Sequence, residues 1–236
     1  WKMLNELGFL LEQQADYYGN ALALGGADIN LWQLANAYRA LANQGQFSES
    51  TLELSSPTSP TKTILSHQAS FIVADILSDR NARSLTFGYE NPLATPFWSA
   101  VKTGTSKDMR DNWCVGFSRR FTVAVWVGNM QGLPMRDVSG MTGAAPVWQM
   151  VMNYLEAGAG QSFAQQPPKG VHQQLVEFEG FAQPSYQEWF MDGTEQTKVS
   201  YWPNNVPEIV YPVANTIIAL DPDMPKIYQK VFFKAK

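Results

Sequence analysis

The chain has 236 residues, 45% of them hydrophobic and 16% charged, a balance that supports a packed core and excludes a disordered chain. With 17 Lys+Arg against 21 Asp+Glu the formal net charge is −4, which excludes a protein whose main work is gripping nucleic acid. The single cysteine, Cys114, excludes an internal disulfide, and one cysteine with two scattered histidines is too small a set for a structural zinc site.

Residues 1–13 place Met3, Leu4, Leu7, Leu10 and Leu11 at helical spacing, so the spacing predicts a helix there. A second helix is expected after Asp28, a candidate N-cap. Its face would carry Leu31, Leu34, Ala35, Tyr38, Leu41 and Ala42, and Gly45 would stand just past its end. The stretch "SSPTSPTKT" (55–63) reads as a loop. Ser66 is a candidate cap for a third helix, with Ala69, Ile72, Val73, Ile76 and Leu77 inward.

From Trp98 the period changes from helix to strand. "FWSAVKTGT" reads as a strand ending in a glycine turn, and Trp113, Val115 and Phe117 alternate with Cys114, Gly116 and Ser118 as a half-buried strand. "SRR" is short enough for a hairpin, which leaves Arg119 and Arg120 as a solvated turn. "FTVAVWVGN" is apolar almost throughout, as a central strand would be. A last helix is expected over "GAAPVWQMVMNYLEAG", with Pro146 in its first turn, Val147, Met150, Val151, Tyr154 and Leu155 inward, and Thr142 and Gly143 as its cap. Beyond Gly158 a linker and short β-like runs follow. No apolar run reaches the roughly 18 residues of a membrane span. The opening "WKMLNELGFLL" reads like the middle of a helix, so the chain is expected to be a piece of a longer protein.

The chemistry concentrates in Lys102-Thr103-Gly104-Thr105. Lys-Thr-Gly alone is a weak signal. On a strand, however, it sets a positive charge, two hydroxyls and backbone N–H groups side by side. Glycine lets another backbone come close. Such an edge can pair with an extended peptide, take a carboxylate on its hydroxyls and ammonium, and stabilise an oxyanion on a backbone N–H.

These residues resemble the third motif of the serine penicillin-recognising enzymes, whose other motifs are Ser-x-x-Lys and Ser-x-Asn. "LALGGADINLWQLANAYRALANQG" is similar to the segment preceding that motif in class A penicillin-binding proteins. "KTGTSKDMRDNWCVGF" with "VAVWVGN" is similar to their third, fourth and fifth strands, and "TGAAPVW" to the start of their last helix. "EWFMDGTEQ" and "YPVANTIIALDPDMPKIYQ" resemble the C-terminal extension of the 1C-type members.

The resemblance implies a mixed α/β fold: the C-terminal half of a penicillin-binding transpeptidase domain over 1–158, a linker and extension over 159–206, and the start of a β-rich domain over 207–236. It implies a D,D-transpeptidase that crosslinks peptidoglycan stem peptides and is acylated by β-lactams. A glycosyltransferase domain and a membrane anchor would lie upstream, on the periplasmic side of a bacterial cytoplasmic membrane. It implies no cofactor, no metal and no nucleic acid, and the C-terminal extension would be where other cell-wall synthesis proteins dock. Carried over by position, Lys102 supplies the positive charge that favours proton transfer and bonds the Ser-x-Asn serine. Thr103 and Thr105 bind the substrate carboxylate, with Ser106 beside them. The Thr105 N–H is half of an oxyanion hole, and Gly104 keeps the edge open.

Two of the three motifs are missing. The sole Ser-x-x-Lys, Ser59-Pro60-Thr61-Lys62, follows the Leu-Gly-Gly segment it should precede and sits in a Pro-rich loop. Tyr18-Gly19-Asn20 mimics the Tyr-x-Asn of some relatives but also comes too late in the order, and a turn is expected there. The catalytic serine is therefore expected before Trp1. In the family the fifth strand pairs with the first, so a second polypeptide or a local rearrangement is expected over the 121–128 edge. A carboxypeptidase or β-lactamase of the same fold, or a non-catalytic interaction module, stands as the alternative. Asp108, Arg110 and Asp111 are expected to form local salt bridges, Cys114 to be a small core residue, and His67 and His172 to carry no function.

Overall fold

The computed structural model describes residues 1–53, 59–158, 160, 162–180, 184–200, 209–211, 213 and 234–235. The chain forms two compact units. The first is Trp1–Gln173 with Trp189–Glu195; the second is Gln174–Glu188 with Gln196–Lys236.

In the first unit the helices are α1 (Lys2–Glu6), α2 (Ala15–Tyr18), α3 (Leu31–Ala42), α4 (His67–Ser78), α5 (Arg80–Phe87) and α6 (Ala145–Glu156). Two short strands, β1 (Gln46–Phe47) and β2 (Lys62–Thr63), pair antiparallel, while β3 (Ala100–Thr105), β4 (Asp111–Phe117) and β5 (Thr122–Gly128) form an antiparallel sheet in that order. The expected mixed α/β architecture with an antiparallel sheet and flanking helices is what the chain adopts.

The first helix is shorter than its spacing suggests. α1 stops at Glu6, and the chain turns through Gly8 (φ 85) and Leu10 (φ 48). Leu7, Phe9 and Leu11 alternate into the core, and Leu10 points out. A glycine in the left-handed region ends the helix before its apolar stripe does. Asn30, not Asp28, caps α3. Its side chain accepts from Gln33 N at 2.8 Å while Gln33 reaches back to Asn30 N, a capping box. Ser66 caps α4 as expected, accepting from Ala69 N at 3.1 Å. The buried face of α4, however, is Ser70, Phe71 and Ala74, and Val73 and Ile76 are exposed.

The three-stranded sheet is covered on both faces. On one, Val101, Cys114 and Val123 join Leu93, Ala144, Ala145, Trp148 and Met152 in a closed core. On the other, Ala100 and Phe117 meet Ala74, with Tyr38, Leu41, Leu77 and Trp98 around them. β4 is therefore the central strand and is buried on both sides, not half-buried. β5, expected at the centre, lies at the edge: it pairs with β4 and with no other strand among the described residues. Its continuous apolar run is explained by α3 on one face and α6 on the other. Among the described residues no other strand of the chain covers that edge.

α6 begins after a π-helical turn (Gly140–Ala144) capped by Ser139, which forms a capping box with Thr142. Its inward face is Ala145, Trp148, Met152 and Glu156, whereas Val147, Met150, Val151 and Tyr154 face out. The expected face is thus wrong except for Leu155, which packs against the core. Arg120 is not merely solvated: its guanidinium pairs with the buried Glu156 carboxylate and donates to Gly160 O at 2.9 Å.

Burial pushes the Cys114 thiol up to about 12, and burial followed by the nearby Cys114 pushes the Tyr38 phenol up to about 12. Both folded values lie above the ordinary ones, so each group stabilises the fold below its unfolded pKa and that contribution is lost as pH rises. We expect urea stability to be flat to about pH 8.5 and then to fall by up to about 1.4 kcal/mol per pH unit per group. Cys114→Ala should remove the part of the slope between about pH 9 and 10. An unchanged slope in that variant would refute the assignment.

In the second unit β6 (Val171–Glu179), which begins in the first, pairs in parallel with β8 (Lys198–Ser200), Glu177 opposite Lys198, and has β7 (Tyr186–Met191) on its other side. Lys198 Nζ lies 2.8 Å from Glu179 Oε2, and Phe178 stacks on Tyr186. β9 (Ile209–Tyr211) pairs antiparallel with β10 (Lys234–Ala235). The remainder of the β-rich segment expected over 207–236 lies outside the described residues. Among the described residues no helix is long and apolar enough to cross a membrane.

Candidate active-site edge

β3 carries the Lys-Thr-Gly-Thr motif on the free margin of the sheet. Ala100 and Val101, both fully buried, anchor its beginning, and exposure returns from Lys102 onward. The register sets Lys102 opposite Val115, Thr103 opposite Cys114, Gly104 opposite Trp113 and Thr105 opposite Asn112. Alternation along the strand sends Lys102 and Gly104 to one face and Thr103 and Thr105 to the other. β3 pairs with β4 alone among the described residues, so no further strand covers its outer side.

The strand's end is held from two directions. Thr105 Oγ1 accepts from Gly140 N at 2.9 Å, tying the motif to the π turn before α6. That bond occupies an acceptor lone pair and leaves the Thr105 O–H as a donor. The Ser106 hydroxyl donates to Asp111 Oδ2 and accepts from Asp111 N, both at 2.9 Å, while Ser106 N donates to Asp111 O at 2.9 Å. Asp111 Oδ1 in turn accepts from Trp126 Nε1 at 3.0 Å. Asp111 is therefore a hydrogen-bond hub and not the salt-bridge partner expected, whereas Asp108 and Arg110 do pair, at 3.5 Å. Asp108 and Met109 hold φ of 60° and 57°, a tight turn in the left-handed region.

Lys102 Nζ donates to Thr103 O at 2.6 Å and is exposed. Gly104 has room around it: a Cβ there would meet Trp113 Cβ at 3.7 Å and Cδ1 at 3.8 Å, ordinary contact. No neighbour among the described residues requires glycine at 104.

The structure keeps the other candidates apart from this edge's architecture. Lys62 lies in β2, exposed, 3.8 Å from Glu6, and Ser59 precedes that strand instead of opening a buried helix. Tyr18-Gly19-Asn20 lies where α2 passes into a 3₁₀ helix (Gly19–Leu24). Cys114 is fully buried, as a core residue should be. Sequence reasoning missed Gly140 and Asp111 as the groups that fix the motif. It also missed His172, which stands between Asp192 and Glu195.

A Lys-Thr-Gly-Thr edge strand, an antiparallel sheet between helices and a last helix packed behind it define the class: the chain resembles the C-terminal part of the transpeptidase domain of class A penicillin-binding proteins. It is 28% identical over 184 residues to penicillin-binding protein 1C of Escherichia coli (strain K12), covering 74% of this chain and 23% of that protein. It is 27% identical over 205 residues to penicillin-binding protein 2D of Bacillus subtilis (strain 168), covering 77% and 29%. The crystal structure of penicillin-binding protein 1A from Haemophilus influenzae superposes with a TM-score of 0.62 at 18% identity, over 84% of this chain and 37% of that one. The chain thus spans about a quarter of the length of the curated relatives it matches. No family model matches it.

Proposed function

We propose that this chain supplies the substrate edge of a serine D,D-transpeptidase that crosslinks peptidoglycan stem peptides and is acylated by β-lactams on the outer side of a bacterial cytoplasmic membrane. The observation that carries this is the open margin of β3, with Lys102 exposed and Thr105 held by Gly140 N. An extended peptide can add to that margin as a further strand. The Thr105 O–H, with Thr103 on the same face, would take its carboxylate. The Lys102 ammonium would raise the local positive potential and favour proton transfer. The Thr105 N–H would donate to the oxyanion formed when a serine attacks the carbonyl. Gly104 leaves the approach clear, and Ser106 contributes through Asp111 by fixing the strand's end. The serine would come from outside residues 1–236, and the expected division at 158 and 206 belongs to the same reading.

Fluorescent-penicillin labelling of the intact gene product, mapped by mass spectrometry, tests this. We expect one labelled serine outside residues 1–236, and Lys102→Ala should slow labelling about tenfold or more. Labelling at Ser59 would overturn the reading, as would no labelling of the intact product.

A further inference from the structure

His172 opens β6 with a carboxylate at each ring nitrogen. Nδ1 lies 3.1 Å from Asp192 Oδ1, and Nε2 lies 3.1 Å from Glu195 Oε1. The three donor atoms lie within 4.8 Å of one another, and all three residues belong to the first unit. The arrangement is built by the backbone. Asp192 N donates to Gly170 O at 3.1 Å, which sets Asp192 beside the start of β6. Thr194 closes a turn on Met191 O through both its N–H and its hydroxyl, at 2.9 and 2.8 Å, with Gly193 at φ 82. Gly193 N then donates to Glu195 Oε1 at 3.0 Å and aims it at the imidazole. That backbone bond, with the nearby His172 as a lesser cause, holds the Glu195 carboxyl below the usual range. Edge-on packing of Trp189 against Phe71, and Gln68 Nε2 donating to Lys169 O at 3.1 Å, tie the same strands to α4.

A neutral imidazole carries one N–H, yet two carboxylates face it. One of the two contacts therefore lacks a proton. A neutral ring thus turns a lone pair toward the second carboxylate, and a cation can stand between the two. The spacing is compatible with a cation: tetrahedral ligands held at about 2.1 Å lie about 3.4 Å apart, a few tenths of an ångström more than the 3.1 Å between Nε2 and Glu195 Oε1. A carboxylate on the far nitrogen of a metal-bound histidine is the common supporting arrangement, because it fixes the tautomer and raises the basicity of the ligating nitrogen.

We propose that His172 Nε2 and Glu195 ligate a borderline divalent transition-metal ion, with Zn²⁺ the best match, while Asp192 holds the Nδ1–H of His172. Imidazole and carboxylate together suit this class better than Mg²⁺ or Ca²⁺, which prefer all-oxygen sites. Waters complete the shell, since all three side chains stand at the surface. The ion pins the turn at 192–195 to the start of β6, a staple on the segment that follows α6.

The test is titration of the intact chain with Zn²⁺ by calorimetry and with Co²⁺ by visible absorption at neutral pH. One saturable equivalent is expected, with a rise in thermal midpoint as the ion binds the folded chain. His172→Ala and Glu195→Gln should weaken binding about tenfold or more, and Asp192→Asn about 10–100-fold. His67→Ala, which removes the chain's other histidine, should leave it unchanged. Absence of saturable binding overturns the proposal. Binding that survives both His172→Ala and Glu195→Gln also overturns it, as does binding lost in His67→Ala.

Discussion

Trp148→Ala is expected to lower the stability of this chain by about 3–5 kcal/mol, the range for truncating a buried tryptophan. Trp148 is fully buried, and its ring packs where β4 carries Gly116: a Cβ at 116 would come within 2.8 Å of Trp148 Cζ2. The indole fills the space that the missing side chain leaves, between Val101, Cys114 and Val123 of the sheet and Leu93 beyond it. Removing it opens a cavity that the rigid strands on either side cannot close. Urea unfolding measures the loss. The control lies on the same helix: Val147→Ala and Tyr154→Ala, whose side chains are 44% and 81% exposed, should each change stability by no more than about 0.5 kcal/mol. A cost below about 1.5 kcal/mol for Trp148→Ala, or a larger one for Tyr154→Ala, would mean that α6 turns its other face inward.

That contrast also marks what the sequence makes legible. The existence of α3, α4 and α6 followed from spacing, and Ser66 as the cap of α4 followed too, because those are local; the caps of α3 and of the turn before α6 are instead Asn30 and Ser139. Which face of α6 is buried did not follow. Val147, Met150, Val151 and Tyr154 form as good an apolar stripe as Ala145, Trp148, Met152 and Leu155, and the choice between them is made by tertiary packing, such as Trp148 against the space at Gly116. β5 misled for a related reason, since a run of apolar residues reports helices on both faces and says nothing of strands on both sides. The Lys-Thr-Gly-Thr stretch was legible as the end of a strand because its pattern lies in consecutive residues. Its supports were not: Thr105 finds Gly140 35 residues away, and Trp126 reaches Asp111 across a strand pair. Arg120 and Glu156, and the carboxylates around His172, are likewise brought together by folding alone.

Gly140→Ala should cost about 3 kcal/mol, near the top of the range for adding one methyl to a packed site. An added Cβ would stand 2.5 Å from Gly104 O and 2.6 Å from Trp113 O. Both obstacles are strand backbone, so no rotamer relieves the clash, and the π turn must lift off β3. Lifting it separates Gly140 N from Thr105 Oγ1 and frees the hydroxyl that the turn had oriented. Gly104→Ala is the counterpart: its Cβ meets Trp113 at ordinary contact distance, so stability should hold within about 0.5 kcal/mol. If β3 receives an extended substrate, the two variants slow penicillin labelling of the intact gene product for different reasons. Gly140→Ala disturbs the strand itself and should lose hydrogen-exchange protection at Thr105 along with stability. Gly104→Ala should keep both and lose labelling alone, because its methyl stands where the incoming backbone must come close. Full labelling in a stable Gly104→Ala protein would show that nothing approaches β3 at that point, and the proposed edge would have to be abandoned.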